Sequence, residues 1–317
     1  MKKILTIIAL SLTGVGAFAQ QDAQFSMNMF NKLAVNPGYT GTNMALCATI
    51  LYRTQWTSFP GQPKTALLSV DYGRILGGGL GITVDQDALG FDKTLKAKLS
   101  YAYHLHLGPT GILGIGLDAG MIQKSLSGNF IAPDGTTSAT GGTDQAIPWS
   151  GSSAITYDVG FGLYYTTKKL YVGLSSLHLP EQSLSASGGA AALAYNFQYT
   201  VARHYYVMAG YNFDIGPNFF LTPSVLTKSD ASSTQLDINL LGEYKSLVFV
   251  GASYRLTDAV VAIVGLKYKG FKLGYSFDVT MSNIKTYSHG THEIMLGYCH
   301  KFVTEPKPTS HMNVRFL

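Results

Sequence analysis

Between residues 43 and 303, apolar and polar positions exchange places with a period of two. Over 291–303, Ile294, Leu296 and Tyr298 fall on one face, and Glu293, Met295, Gly297, Cys299 and Lys301 on the other. An extended strand imposes this alternation, because successive side chains point to opposite faces. Ala66, Leu68, Val70 and Tyr72 oppose Thr65, Ser69 and Asp71 in the same way, and Leu80, Ile82 and Val84 oppose Gly79, Gly81, Thr83 and Asp85. Tyr157, Val159, Phe161, Leu163 and Tyr165 oppose Asp158, Gly160 and Gly162, while Phe271, Leu273, Tyr275, Phe277 and Val279 oppose Lys272, Gly274, Ser276 and Asp278. One face is oily and the other is small or charged, as in the wall of a barrel with lipid outside and a polar interior.

The pattern predicts about fourteen strands, near 44–53, 64–73, 77–87, 93–107, 110–126, 153–166, 169–177, 196–213, 219–228, 234–244, 246–255, 259–268, 271–279 and 291–303. Tight links at 108–109, 167–168, 245 and 269–270 alternate with longer ones at 54–63, 86–93, 127–152, 178–195 and 280–290. Only 256–258 is short where a long loop is due. Short periplasmic turns and long external loops are the signature of outer-membrane barrels, and an even strand count returns both termini to the periplasm. The expected fold is therefore all-β: a closed antiparallel transmembrane β-barrel over 43–303. Its last strand must find its first, because lipid cannot satisfy a free strand edge.

Residues 20–42 do not alternate. Phe25, Met29 and Leu33 recur at helical spacing and Asn36-Pro37-Gly38 marks a stop. The segment reads as a short helix, an irregular plug or a disordered leader. Before it, Lys2 and Lys3, an apolar core from Ile4 to Leu12 and Ala17-Phe18-Ala19 make residues 1–19 a secretory signal peptide. An anchor helix would need a longer apolar run. Residues 304–317 form a C-terminal periplasmic tail.

Composition sharpens the picture in two places. Charged residues make up only 13 % of the chain, while Gly (35) and Tyr (20) abound. A soluble β-sandwich, the alternative architecture, would bury its apolar face and carry more charge outside. Without Lys2 and Lys3 the net charge falls from +5 to +3, too small and too scattered for nucleic acid.

Candidate chemistry is sparse. Cys47 and Cys299 both point inward near the same end of neighbouring strands, so they form either a disulfide across the seam or two lumenal thiols. The glycine run 111–120 resembles a dinucleotide loop, but alternation continues through it and no helix follows, which favours glycines facing a crowded interior. His104 and His106 share a face without a third metal ligand in view, and read as lumenal filler. Asp85 and Asp87 enter a loop and read as solvated carboxylates rather than a calcium site. There is no serine–histidine–acid or zinc-protease pattern, and no catalytic, metal or cofactor assignment is made. The inward charges Arg53, Asp71, Asp85, Lys98, Asp158, Asp237, Glu243, Arg255, Lys267, Lys272, Asp278 and Glu293 mix signs. They suit internal salt bridges, or the lining of a narrow polar channel, rather than a single-sign selectivity ring.

Several blocks in order resemble the PorP/SprF family of type IX secretion outer-membrane proteins. They are Gln24-Phe25-Ser26 with Met29-Phe30-Asn31 and Asn36-Pro37-Gly38-Tyr39; Arg53-Thr54-Gln55-Trp56 with Gly61-Gln62-Pro63-Lys64-Thr65; and Gly79-Leu80-Gly81 with Asp85. Pro223-Ser224, Ser253-Tyr254-Arg255, Gly274-Tyr275-Ser276-Phe277-Asp278, Gly290-Thr291-His292-Glu293-Ile294 and the closing Arg315-Phe316-Leu317 continue the series. Gly38 and Thr291 stand where members usually carry Ala and Ser. The resemblance implies an outer-membrane role in secreting large cargo proteins, often gliding adhesins, and holding them at the surface by their C-terminal signal domain, beside other type IX components. It implies no enzymatic activity. Arg53, Gln55, Trp56, Phe59 and Pro63 in the first external loop and Trp149 in the longest one are the candidate partner contacts, being stiff, aromatic and hydrogen-bonding. The competing reading has Arg53 and Trp56 packing inward to close the barrel mouth. A general porin for small solutes and a membrane hydrolase using His104 or His106 are the other functional alternatives.

Overall fold

A computed structural model describes residues 22–58, 60–127, 151–186 and 197–302 of the chain. The first seven strands are β1 (Leu46–Thr54), β2 (Lys64–Ile75), β3 (Gly78–Leu89), β4 (Asp92–Leu107), β5 (Gly111–Leu126), β6 (Ser152–Thr166) and β7 (Leu170–Leu177). Then come β8 (Ser183–Ala186), β9 (Phe197–Thr200), β10 (His204–Tyr211), β11 (Phe213–Asp214), β12 (Phe219–Ser229) and β13 (Thr234–Tyr244). The series closes with β14 (Val248–Arg255), β15 (Ala259–Tyr268), β16 (Phe271–Thr280) and β17 (Thr291–His300).

Fourteen of these, β1–β7, β10 and β12–β17, make one closed antiparallel wall. β10 bridges β7 and β12, and β1 meets β17. The seam runs through nine residue pairs, from Leu46↔His300 to Thr54↔His292. Cys47 lies directly opposite Cys299, with Cα atoms 4.1 Å apart, and the two form a disulfide with an S–S distance of 2.13 Å.

The alternation sorts side chains as the hydropathy pattern requires. On β17, Glu293 and Met295 are buried inside while Ile294 and Leu296 face out, 52 % and 47 % exposed. Ile82, Leu99, Leu117, Val250, Val264 and Leu273 continue the outward apolar band, with Tyr52, Tyr103, Tyr157, Tyr254, Tyr268 and Tyr298 outward as well. An apolar surface that wide would drive a soluble protein to associate; hydrocarbon solvates it. Turns at one end are minimal. Lys245-Ser246 and Lys269-Gly270 each place both residues at positive φ, the two-residue geometry whose twist matches that of the paired strands.

Two expectations need correction. The strand expected near 196–213 is divided: Phe197–Thr200 pairs with Ser183–Ala186 in a separate hairpin, and the wall strand begins only at His204. The break occurs because Val201 and Leu184 fold onto Ile122, an inward residue of β5, while the Arg203 guanidinium donates to the Leu179 carbonyl. The N-terminal segment is not an α-helix, and none occurs among the described residues. It makes three 3-10 turns, Asn28–Phe30, Lys32–Ala34 and Pro37–Tyr39, the last capped by the Asn36 side chain accepting from the Gly38 N–H at 2.8 Å. The Ser26 and Met27 N–H groups go to Glu293 and the Ser26 hydroxyl to Asp278, so contacts with the wall, not a continuous helix before Asn36-Pro37, set the path of the segment. The signal-peptide and tail expectations lie outside the described residues.

The cross-link spans 252 residues of sequence yet joins strands already paired in register. Reduction should leave the barrel closed at ambient temperature but lower its unfolding midpoint in detergent, a loss of up to ~5 kcal/mol on loop-entropy grounds. The Cys47→Ser/Cys299→Ser variant should sit at the reduced value and ignore reductant. An identical midpoint with and without reductant in the wild-type protein would show that the bond contributes nothing.

Candidate functional site: the occupied lumen and the outer vestibule

Residues 22–45 run along the inner wall, and two charge networks hold them there. The first gathers near the seam. Arg53 reaches Asp278 at 2.8 Å and Glu293 at 3.0 Å, and Arg255 reaches Asp278 at 3.2 Å and Asp237 at 3.4 Å. All five side chains are at most 3 % exposed. The segment enters this network directly. The Ser26 and Met27 N–H groups donate to the two Glu293 oxygens, each at 2.8 Å. The Ser26 hydroxyl donates to Asp278 and accepts from Arg53, both at 2.7 Å. Removing one member of such a buried group leaves a charge without a partner, a loss of ~3–5 kcal/mol.

The second network centres on Asp22. Its carboxylate takes Lys96 at 2.5 Å, His178 Nε2 at 3.0 Å and the Tyr206 hydroxyl at 2.6 Å, and its carbonyl accepts from Lys228 at 3.0 Å. His178 Nδ1 donates to Asp158 at 2.9 Å, and Lys98 stands 3.4 Å from the same carboxylate. Burial alone would push the Asp22 carboxyl up, but Lys96, His178 and His204 together hold it well below the usual carboxylate range. His178 has a carboxylate at each ring nitrogen. Burial would lower its pKa, yet Asp22 and Asp158 raise it above the ordinary histidine value. Asp22, His178 and His204 are close enough to share a cation. Lys96 and Tyr206 already occupy the Asp22 oxygens, however, and Lys98 and Lys228 add positive charge, so the group closes on itself as a salt-bridge network.

Between the two networks the segment's backbone lies against glycine. A Cβ on Gly38 would meet Gly162 O and Tyr164 N at 2.8 Å and Gly114 O at 2.9 Å. One on Gly116 would meet Pro37 C and O at 2.3 Å. Gly114 and Gly116, with Gly162, are therefore the smooth floor for Asn36-Pro37-Gly38, whose Asn36 amide donates to the Leu163 and Leu174 carbonyls. At Gly38 only glycine fits the approach. Lys32 sits over the Tyr171 ring, 3.4 Å from its centroid, and donates to the Tyr164 hydroxyl. His104 bonds the Thr40 carbonyl at 2.9 Å, while His106 is exposed at the strand end, so the two share no site.

Above the segment a vestibule of about 490 Å³ opens at the long-loop end. Asp22, Ala23 and Gln24 form its floor, and Gln55, Trp56, Pro63, Asp87, Gln235 and Thr257 its sides. Trp56 is half-buried at φ 53°, its N–H donating to the Thr291 hydroxyl at 3.1 Å. The Thr57 N–H donates to the Gly290 carbonyl, the His289 N–H returns to the Thr57 carbonyl, and Ser58 bonds His289 at 2.6 Å. The loop after β1 and the loop before β17 are thereby tied to each other across the seam.

Of the residues singled out in sequence, Gln55, Trp56 and Pro63 come together at the vestibule. Arg53 does not: it points inward from β1 and is 1 % exposed within the ion network below, so it supports the floor instead of facing a partner. Phe59 and Trp149 lie outside the described residues. Alternation alone does not single out Asp22, Lys96, His178, Tyr206 and Lys228. Lys96 shares the inward parity of Lys98 and is legible on that ground, whereas Asp22 and His178 lie where no alternation exists.

The sequence signature of the type IX secretion system membrane protein PorP/SprF family matches residues 17–298. The chain belongs to that family and is an outer-membrane β-barrel protein of type IX secretion. No curated protein matches it. Among solved structures, it is similar to the CymD monoaromatic hydrocarbon channel at 14 % identity, covering 92 % of this chain and 96 % of that one, with a TM-score of 0.47. The Ralstonia pickettii toluene transporter TbuX follows at 12 % identity, covering 82 % and 88 %, with a TM-score of 0.44. The translocator domain of autotransporter NalP from Neisseria meningitidis follows at 12 % identity, covering 87 % and 95 %, with a TM-score of 0.42.

Gly116→Ala should dislodge the segment while leaving the wall closed. Trypsin should then cut after Lys32 in the variant and not in the wild-type protein; equal resistance would refute the glycine-floor account. His178, raised on folding, stabilises fully below about pH 6.5 and loses that contribution as pH climbs through its folded value. Asp22, depressed on folding, keeps its contribution until pH falls below the ordinary carboxylate range. Exchange protection of the Gln24–Met27 amides should therefore fall as pH rises above about 6.5, and His178→Gln should flatten the profile.

Proposed function

We propose that the protein retains secreted cargo at the outer membrane by binding the cargo's C-terminal signal domain at the outer vestibule, with the N-terminal segment acting as a plug beneath it. The occupied lumen is the observation that carries this reading. An open porin keeps a water-filled interior, whereas here the N-terminal segment lies against the inner wall beneath the vestibule, bound by two buried ion networks, which supports a plug. A partner-binding rim benefits from rigidity, since ordering loops on binding costs affinity. The locked first and last loops supply that rigidity around Trp56. The short turns then face the periplasm, and the remaining type IX components meet the barrel from that side.

Trp56→Ala combined with Trp149→Ala should abolish cargo retention on intact cells while the heat-modifiable barrel band persists in outer-membrane fractions. Normal retention in the double variant would defeat the assignment of these loops. Purified protein in planar bilayers should show no steady conductance, and a stable open level would instead favour the porin reading.

A further inference from the structure

The two ends of the barrel differ in charge. At the long-loop end, Asp87, Asp92, Glu181, Asp230 and Asp258 are interspersed with Lys64, Lys93, Arg203 and Lys285. At the turn end the balance is basic: Arg74, Lys168, Lys169 and Lys245 occupy the turns, with Asp214 paired to Lys169 at 2.7 Å. Between these turns lies a cavity of about 640 Å³, bounded by Lys267, Lys269, Lys272 and Lys301 and by the Cys47–Cys299 bond. Lys267 pairs with Glu243. Among the described residues no carboxylate forms an ion pair with Lys269, Lys272 or Lys301, although Glu243 and Asp71 face the half-buried Lys272 at longer range.

We infer that this basic mouth is a docking site for an acidic polypeptide segment. Lys267 and Lys272 share the inward parity of Cys299, so these two ammonium groups lie on the lumenal side of the wall, where a lipid headgroup outside cannot follow, while Lys269 and Lys301 stand exposed at the rim. A peptide can enter, and the cavity has the size of pockets that take a small ligand or a few residues of chain. Walls of low dielectric strengthen attraction to a carboxylate compared with open water, and a mouth with an excess of one sign raises the local concentration of an oppositely charged partner. On the reading that the turns face the periplasm the partner is a periplasmic protein. The binding itself does not depend on that orientation, nor on cargo retention at the other end.

The test uses the full barrel in zwitterionic nanodiscs and fluorescein-labelled peptides of eight glutamates or eight glutamines, followed by anisotropy. The acidic peptide should bind and weaken at least tenfold from 50 to 500 mM salt, and the neutral one should not bind. Lys269→Ser/Lys272→Ser/Lys301→Ser should lose at least tenfold in affinity, with heat-modifiability showing that the wall is closed. Should that variant fail to insert, Lys272→Ser alone should lose about threefold. Lys93→Ser/Lys285→Ser at the opposite end should bind like the wild-type protein. Unchanged binding in the turn-end variants, equal loss in the opposite-end variant, or abolition of binding by anionic lipid in the disc would each overturn the proposal.

Discussion

A peptide group in hydrocarbon has no hydrogen-bond partner except another peptide group. The architecture follows from that constraint. Strands must pair on both edges, so the sheet closes, and β1 must find β17 across most of the length of the chain. Once closed, the pleat sends every second side chain inward, and the interior becomes a narrow compartment walled off from bulk water. The seam and the crowded lumen are thus consequences of one requirement.

The compartment then poses its own problem. Arg53, Arg255, Asp278, Glu293 and Asp237 cannot shed their charge cheaply in such surroundings, and buried ion pairs are weak sources of stability. What they supply is specificity, because each demands a partner in one place. The N-terminal segment provides those partners: two backbone N–H groups and a hydroxyl at Ser26-Met27, and the Asp22 carboxylate at the other network. Glycine does the complementary work. Where the segment brings backbone groups, the wall offers Gly114, Gly116 and Gly162, so the approach is limited by main chain alone.

Much of this architecture is legible in the sequence. Alternation fixes the parity of each wall residue, and parity tells Glu293 and Cys299 from Ile294 and Tyr298. It also carries the strand count and the loop lengths, since both rest on a local rule repeated along the chain. The rule fails where the chain stops being a wall. Val201 turns onto Ile122 for a long-range packing reason that no window around 196–213 contains. Asp22 finds Lys96, His178 and Tyr206 through closure, which brings together positions far apart in sequence. Arg53 shows what parity leaves open: it shares the inward parity of Gln55, and only its partners Asp278 and Glu293, distant in sequence, place it in the ion network rather than at the vestibule.

Occupying the lumen also bears on what a barrel of this kind can do. A conduit needs an interior that water crosses and binding weak enough to release what passes. Here buried ion pairs line the inner face of the arc from β1 through β17 to β14 and hold the N-terminal segment, so moving that segment would strip Glu293 and Asp278 of their Ser26 and Met27 partners. Binding at the surface has no such conflict. The charge networks stiffen the wall, the tied first and last loops stiffen the outer rim, and neither needs to break when a partner arrives. Holding a partner at one end therefore leaves the buried networks intact, and the two ends are free to differ in chemistry.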